Sequence, residues 1–267
     1  PYGGVAKFFL HIGVKTGSDL PADTYSKKIL VTAITNRVPT TATLKKGIDF
    51  VSTISSVDTL GNIKKFKRSS TAPATGVSTK IASIPTSEMP VYLWYDAPLQ
   101  TVFWWSDADI AYANEDARQM FSEINNGVKD VQLIDITGIN TSKTKNMSRM
   151  FHTGSKLVKK INITDLDTSS AEDMSYMFAS DKDITHPINV DPIDFSHINT
   201  SLVKNMEGIF YGSRLSTIDV RHFDTSRVTN LFFAFAYLKN VTSLDLSGWN
   251  TRNVANMNST FFYSENI

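Results

Sequence analysis

Residues 223–249 read FDTSRVTNLFFAFAYLKNVTSLDLSGW, and the text then begins again at Asn250-Thr251. The pattern occurs five times when anchored on Thr141, Thr168, Thr200, Thr225 and Thr251. Ten residues after each threonine stands a phenylalanine: Phe151, Phe178, Phe210, Phe235 and Phe261. Six residues after it stands Met147, Met174, Met206, Leu231 or Met257. Immediately before it stands Asn140, Asp167, Asn199, Asp224 or Asn250, and before that an apolar residue: Ile139, Leu166, Ile198, Phe223 or Trp249. The copies are 27, 32, 25 and 26 residues apart. A fixed offset held through this many copies, at this period, predicts a solenoid in which no coil buries its apolar face alone.

Ahead of each threonine lies an alternating apolar pair: Ile134/Ile136, Ile161/Ile163, Ile193/Phe195, Ile218/Val220 and Leu244/Leu246. Alternation in a short run predicts a strand with one buried face. After the threonine the spacing changes. Val228, Leu231, Ala234 and Phe235 fall three and four apart, the face of a short helix or 3₁₀ segment. Thr225-Ser226, like Thr141-Ser142, Thr168-Ser169 and Thr200-Ser201, offers side-chain oxygens to cap that segment. Each coil is therefore expected to run strand, turn, short helix, return. The fold class is an α/β solenoid of leucine-rich-repeat type, with parallel strands and short helical segments.

The run N/D-T-S-x-V-x-N-M-x-x-M-F followed by L-x-x-L-D-L-S-x-W resembles the BspA-type leucine-rich-repeat surface proteins of bacteria, in their methionine-rich version of about 25 residues. Asn140-Thr141-Ser142 with Asn146-Met147 and Met150-Phe151 carries the likeness, as does Asp224-Thr225-Ser226 with Val228 and Asn230. It covers residues 111–267. Copy two departs from it with Ala171 for valine and an insertion near residues 181–191, and copy four with Leu231 and Ala234 for methionines.

Before the repeats the text is different. Residues 1–90 read as a small β-rich domain ending in a linker, with strands at residues 5–14 and 28–35. Residues 47–57 are ambiguous: Ile48, Val51, Ile54 and Val57 have helical spacing in a strand-like composition. Ser/Thr/Pro/Gly-rich text over residues 69–78 reads as a loop. Lys64-Lys65-Phe66-Lys67-Arg68 is the one basic run; a solvated loop is the expectation, an anionic surface contact the rival. Residues 91–112 predict a hairpin with strands 91–95 and 101–105, capping the repeats of residues 113–267. Its Trp94, Trp104 and Trp105 would otherwise form a sugar-stacking platform. Residues 114–121 form a half-coil ending in the repeat's own Met120-Phe121. Five to six coils are expected, in a chain read as a piece truncated at its C-terminal side.

Net charge is +1 and cysteine is absent, which argues against electrostatic nucleic-acid binding and excludes a disulfide framework. No stretch has the apolar length of a membrane span. No nucleophilic triad, paired-carboxylate cleft, P-loop or dinucleotide glycine pattern appears. Neither an enzyme nor a cofactor is expected.

Two surfaces remain as ligand candidates. Asp135, Asn162, Asp194, Asp219 and Asp245 lie between the alternating apolar pairs and should form a ladder on the outer face of the strands. His197 and His222 would neighbour one another beside Asp194 and Asp219; a metal site is the rival to a hydrogen-bonded turn ladder. Phe232 and Phe233 stand where the other copies have Ser148/Arg149, Ser175/Tyr176, Glu207/Gly208 and Asn258/Ser259, either as an exposed contact patch or folded under the copy-two insertion or the return loop near Tyr237. The resemblance implies a non-enzymatic, extracellular, cell-surface protein that mediates attachment or recognition, with a protein or glycan on another cell or matrix as partner. Its rivals are a structural spacer displaying another domain and a carbohydrate-binding accessory module of a larger secreted enzyme.

Overall fold

The structure is a computed structural model, and it describes residues 38–58, 61–122, 124, 130–154, 157–181 and 192–267. The strands expected over residues 5–14 and 28–35, and most of the copy-two insertion, lie outside the described residues. Residues 38–267 pack as one unit.

The repeats stack in register along one phenylalanine column. Phe121, Phe151, Phe178, Phe210, Phe235 and Phe261 lie face to face, with successive centroids 5.6, 5.7, 5.9, 5.8 and 5.7 Å apart. Their planes are within 15° of parallel. Offset stacking of this kind contributes about 0.5–1.5 kcal/mol per pair beyond the area buried. Met147, Met174, Met206 and Leu231 are buried beside the column, but Met257 is 48% exposed and Phe261 46%. The burial expected from the repeat spacing therefore fails in the last copy, where no described ring covers the far face of Phe261.

The column's first ring is covered by helix α1 (Gly47–Ser55) and strand β2 (Lys65–Arg68). Phe50 and Phe66 pack edge-on and tilted against Phe121, at 5.9 and 5.1 Å. This cover comes from residues 47–68 rather than from the aromatic hairpin. The helix buries Gly47, Phe50, Thr53 and Ile54, while Ile48 is 45% exposed. Its apolar stripe thus lies one face round from the Ile48/Val51/Ile54 spacing of the sequence. Gly47 fixes the docking: its N–H donates to the Asp116 carbonyl at 2.9 Å. A Cβ at Gly47 would fall 2.1 Å from the Arg118 carbonyl oxygen.

The basic run is strand β2 itself, not a loop. It pairs in parallel with β5 (Thr101–Trp105) and with β8 (Leu133–Asp135), so it lies between the hairpin and the first repeat. The hairpin of β4 (Tyr92–Asp96) and β5 pairs antiparallel, and β3 (Lys80–Ile81) adds to its outer edge. The sheet closes on its other side with β11 (Ile161–Asn162), parallel to β8. A smaller sheet joins β1 (Thr41–Thr43), β6 (Ile110–Tyr112) and β9 (Ile139–Asn140), all parallel, and β7 (Asp130–Val131) pairs in parallel with β10 (Leu157–Val158).

Beyond β11 the alternating apolar pairs persist, with Phe195, Ile218 and Val220 buried, but the described residues form no further named strand. The continuous ladder runs on the opposite side, where a short helix was expected. There the N–H groups six, eight, ten and twelve residues after Thr141, Thr168, Thr200 and Thr225 donate to the next copy. Met147, Arg149, Phe151 and Thr153 donate to the carbonyls of Asp173, Ser175, Met177 and Ala179 at 2.8–3.0 Å. Met174, Tyr176, Phe178 and Ser180 repeat this onto Asn205, Glu207, Ile209 and Tyr211. Met206, Gly208, Phe210 and Gly212 do so onto copy four, and Leu231, Phe233, Phe235 and Tyr237 onto copy five.

The intervening amides close tight turns, as Met150 N–H does onto Met147 and His152 N–H onto Arg149. The segment is thus a chain of turns, not a helix. The residue eight after each threonine enforces this, because Arg149, Tyr176, Gly208, Phe233 and Ser259 all have φ between 53° and 56°. A left-handed residue at the third turn position ends any helical run.

Three asparagine or aspartate corners shape each copy. In copy one, Asp135, Asn140 and Asn146 each accept the N–H two residues ahead, from Thr137, Ser142 and Ser148 at 3.0, 3.0 and 2.9 Å. Copy four repeats the arrangement with Asp219, Asp224 and Asn230. The short side chain imitates a backbone turn, which is why the chain is rich in these residues at fixed offsets. The anchoring threonine does something other than cap its own segment. The Thr168 hydroxyl donates to the Asn199 carbonyl and accepts the Asn199 N–H, both at 2.8 Å. Thr141 and Thr225 bridge to Asp167 and Asn250 in the same way. Capping falls to the residue before, because the threonine side chain is buried between copies and reaches the next one.

Candidate functional site

The turn side carries a row of aromatic rings outside the core. Tyr176 meets Tyr211 at 6.0 Å, and Tyr211 meets Phe233 and Tyr237 at 5.7 and 5.2 Å. Tyr237 continues to Phe262 and Tyr263 at 5.6 and 5.4 Å, and Phe232 lies beside Phe233 at 4.1 Å. Tyr176, Tyr211, Phe232, Phe233 and Tyr237 are partly buried, whereas Phe262 and Tyr263 are 44% and 58% exposed. The row therefore crosses four copies and opens to solvent toward residues 262–263.

Backbone geometry sets the row's direction. Tyr176, Phe233, Tyr237 and Tyr263 all have positive φ, between 53° and 58°. A bulky L-residue in this region costs about 1–2 kcal/mol relative to glycine. Copy three spends a glycine at the same position, and the reason is local: a Cβ at Gly208 would fall 2.3 Å from the Tyr176 ring. Tyr176 thus lies across Gly208. The Arg149 guanidinium stands 4.5 Å from the centre of its ring, and its hydroxyl donates to Glu207 at 3.1 Å. Burial first and the Glu207 carboxylate second push its phenol up to about 12, so it stays a hydrogen-bond donor across the ordinary pH range.

Phe232 and Phe233 are consequently not an isolated exposed pair. Phe233 packs against Tyr211 and Phe262, Phe232 packs against Phe233, and both are partly buried, so the pair is part of the larger row. Sequence reasoning missed Tyr211, Tyr237, Phe262 and Tyr263. Their signal was there: aromatics eleven and twelve residues after the threonine in copies three to five.

The acidic ladder is occupied by turn chemistry. Asp135 faces Asn162 in register, and Asn162 Nδ2 donates to it at 3.0 Å. Asp194 and Asp245 accept the N–H of Ser196 and Ser247 at 2.9 and 3.0 Å, and those bonds hold both carboxyls below their usual range. Asp219 is drawn to about 2, first by the Arg221 side chain, whose Nε and Nη2 lie 2.9 and 2.7 Å away. His197 Nε2 makes a 2.9 Å hydrogen bond with the Ile163 carbonyl, and the His222 ring stands edge-on to Phe223 at 5.1 Å. Among the described residues no group of three histidine or acidic side chains is arranged to hold a metal.

The hairpin tryptophans are also placed differently from a stacking platform. Trp94 and Trp104 are 8% and 1% exposed, which removes them as ligand surfaces. Both belong to strands inside the sheet, with β3 on the outer edge and β2 on the other. Trp94 stacks on Phe103, the Arg68 guanidinium covers Trp104 at 5.1 Å, and partly buried Trp105 stacks on Tyr92. Among the described residues no helix is long and apolar enough to cross a membrane.

A family model described as "Mycoplasma protein of unknown function, DUF285" matches residues 115–191 and again residues 189–267. Neither the curated proteins nor the solved structures give a match.

Proposed function

The chain belongs to this DUF285 family, and from that premise we propose that it is a non-enzymatic recognition module of a bacterial cell surface. In this reading the stacked copies are a leucine-rich-repeat solenoid of the BspA type, displayed outside the cell, and the partner is a protein or glycan of another cell or matrix. The observation that carries it is the aromatic row running from Tyr176 to Tyr263. Tyrosine and phenylalanine provide large contact area at little side-chain entropy cost. Four of them, Tyr176, Phe233, Tyr237 and Tyr263, sit in left-handed backbone positions that glycine would fill with less strain. The burial of Trp94 and Trp104 leaves only the partly buried Trp105 to the accessory-module alternative.

The test is an array of glycans and extracellular-matrix proteins probed with the full chain. Binding to one class, lost in a Tyr237→Ala/Tyr263→Ala variant, supports the proposal. Binding unchanged in that variant, or absent from the whole array, contradicts it.

A further inference from the structure

The return corner of copy three holds a charged group that no described residue bonds at its two terminal nitrogens. Arg214 lies between Ser213 and Leu215, both buried. Arg214 as a whole is partly buried, but its Nη1 and Nη2 atoms are closed off from solvent and have no hydrogen-bond partner among the described residues. Arg214 lines a cavity of about 40 Å³ together with Thr153 and Ser213 on the polar side and Phe151, Val158 and Phe178 on the apolar side. Desolvation pulls the guanidinium below its ordinary pKa, and Asp181 opposes this from a distance without bonding to it. An arginine does not escape such a position by losing its proton. Buried charge of this kind is strongly unfavourable unless it is paired and hydrogen-bonded.

We propose that this cavity is a binding site for a small carboxylate of two or three carbons. The guanidinium is a planar fork, and a carboxylate presents two oxygens in the matching geometry. Water would satisfy N–H groups but leave the charge uncompensated, and a halide offers one acceptor point to two donor nitrogens. Thr153 and Ser213 line the same space, and Phe151 and Phe178 line it too, which gives the ligand's carbon end apolar neighbours. One water needs roughly 10–15 Å³ measured this way, so the cavity admits a few heavy atoms and no more. None of the residues that line this cavity belongs to the aromatic row. The site is therefore separate from the aromatic row and stands whether or not the row binds a partner.

Isothermal titration of the full chain with sodium acetate and sodium propionate, in carboxylate-free buffer, tests this. Sodium chloride at equal ionic strength is the control. The expected result is saturable one-site binding of a carboxylate, about ten-fold or more weaker in Arg214→Lys and absent in Arg214→Met. Without carboxylate, Arg214→Met should melt at or above the wild-type temperature, because it removes a charge that had no partner. Absence of saturable binding by either acid overturns the proposal, as does equal binding by Arg214→Met or by chloride. A melting temperature of Arg214→Met below wild type in carboxylate-free buffer also overturns it, since the guanidinium would then have a partner within the chain.

Discussion

The two ends of the phenylalanine column hold the same residue type in opposite surroundings. At one end Phe121 is 2% exposed, closed in by Phe50 of the helix and Phe66 of β2. At the other, Phe261 is 46% exposed with Phe235 on one face only. The methionines behave as their neighbouring rings do: Met257 is 48% exposed and Met120 0%. A repeat letter therefore does not determine burial. The copy stacked against it does, and each ring's stability depends on having neighbours on both sides.

The sharpest way to break that comparison is substitution along the column. Phe178→Ala removes a ring stacked on both faces and should cost about 3–5 kcal/mol in urea unfolding. Phe261→Ala should cost under about 1 kcal/mol, as surface substitutions do not leave a closed cavity. Equal costs would mean that the column does not act as a stack. Met206→Ala against Met257→Ala is the same contrast with a smaller side chain: about 2–5 kcal/mol for the first and little for the second.

Gly47→Ala tests the closed end directly. The added methyl meets the backbone of residues 117–118 rather than a side chain that can move. The helix must shift, and the expected loss is about 1–3 kcal/mol, read as a lower thermal midpoint. A midpoint equal to wild type would show that α1 is not docked on the first copy.

Thr168→Val tests the bridging threonine. It keeps the shape and leaves the Asn199 N–H and carbonyl without their side-chain partner, at an expected cost of about 1–3 kcal/mol by chemical denaturation. Thr251 is exposed, and Thr251→Val should be nearly silent.

The smallest effect concerns acid. Asp194, Asp219, Asp224 and Asp245 all have carboxyls held below the ordinary 3.8, with Asp219 at about 2. A folded-state value below the unfolded one means the stabilisation is present above about pH 4 and is lost as pH falls toward 2. These groups are exposed, so the loss should be modest. Asp219→Asn should flatten part of the fall in melting temperature over that window; an identical pH profile would show that the Arg221 pair contributes nothing.

The threonine, methionine and phenylalanine columns were legible because burial of one residue per copy imposes an invariant offset. The chain of turns was not. Apolar residues six, nine and ten after the threonine, such as Met147, Met150 and Phe151, have helical spacing. Two consecutive turns place them on one side as well. The deciding signal was the residue at offset eight, which is left-handed in every copy, yet only Gly208 advertises that conformation by its type. The anchoring threonine looked like a cap because Thr-Ser precedes the segment, but the contact that buries Thr168 is with Asn199, 31 residues away. Of the aromatic row only Phe232-Phe233 was read from the sequence; Tyr237 and Tyr263 share offset twelve, but contacts between copies are what join them to the row. Arg214 carried no sequence signal, since its isolation depends on the cavity around it.

Amide hydrogen exchange tests most directly whether the copies are joined by the ladder on the turn side. The amides at offsets six, eight, ten and twelve donate to the following copy in copies one to four, as Leu231, Phe233, Phe235 and Tyr237 do. The corresponding amides of Met257, Ser259, Phe261 and Tyr263 have no such acceptor among the described residues. Slow exchange is expected at these four offsets in copies one to four, and fast exchange at all four in copy five. Uniformly slow exchange through residue 263, or fast exchange at these offsets in copies two and three, would contradict a ladder that joins the copies.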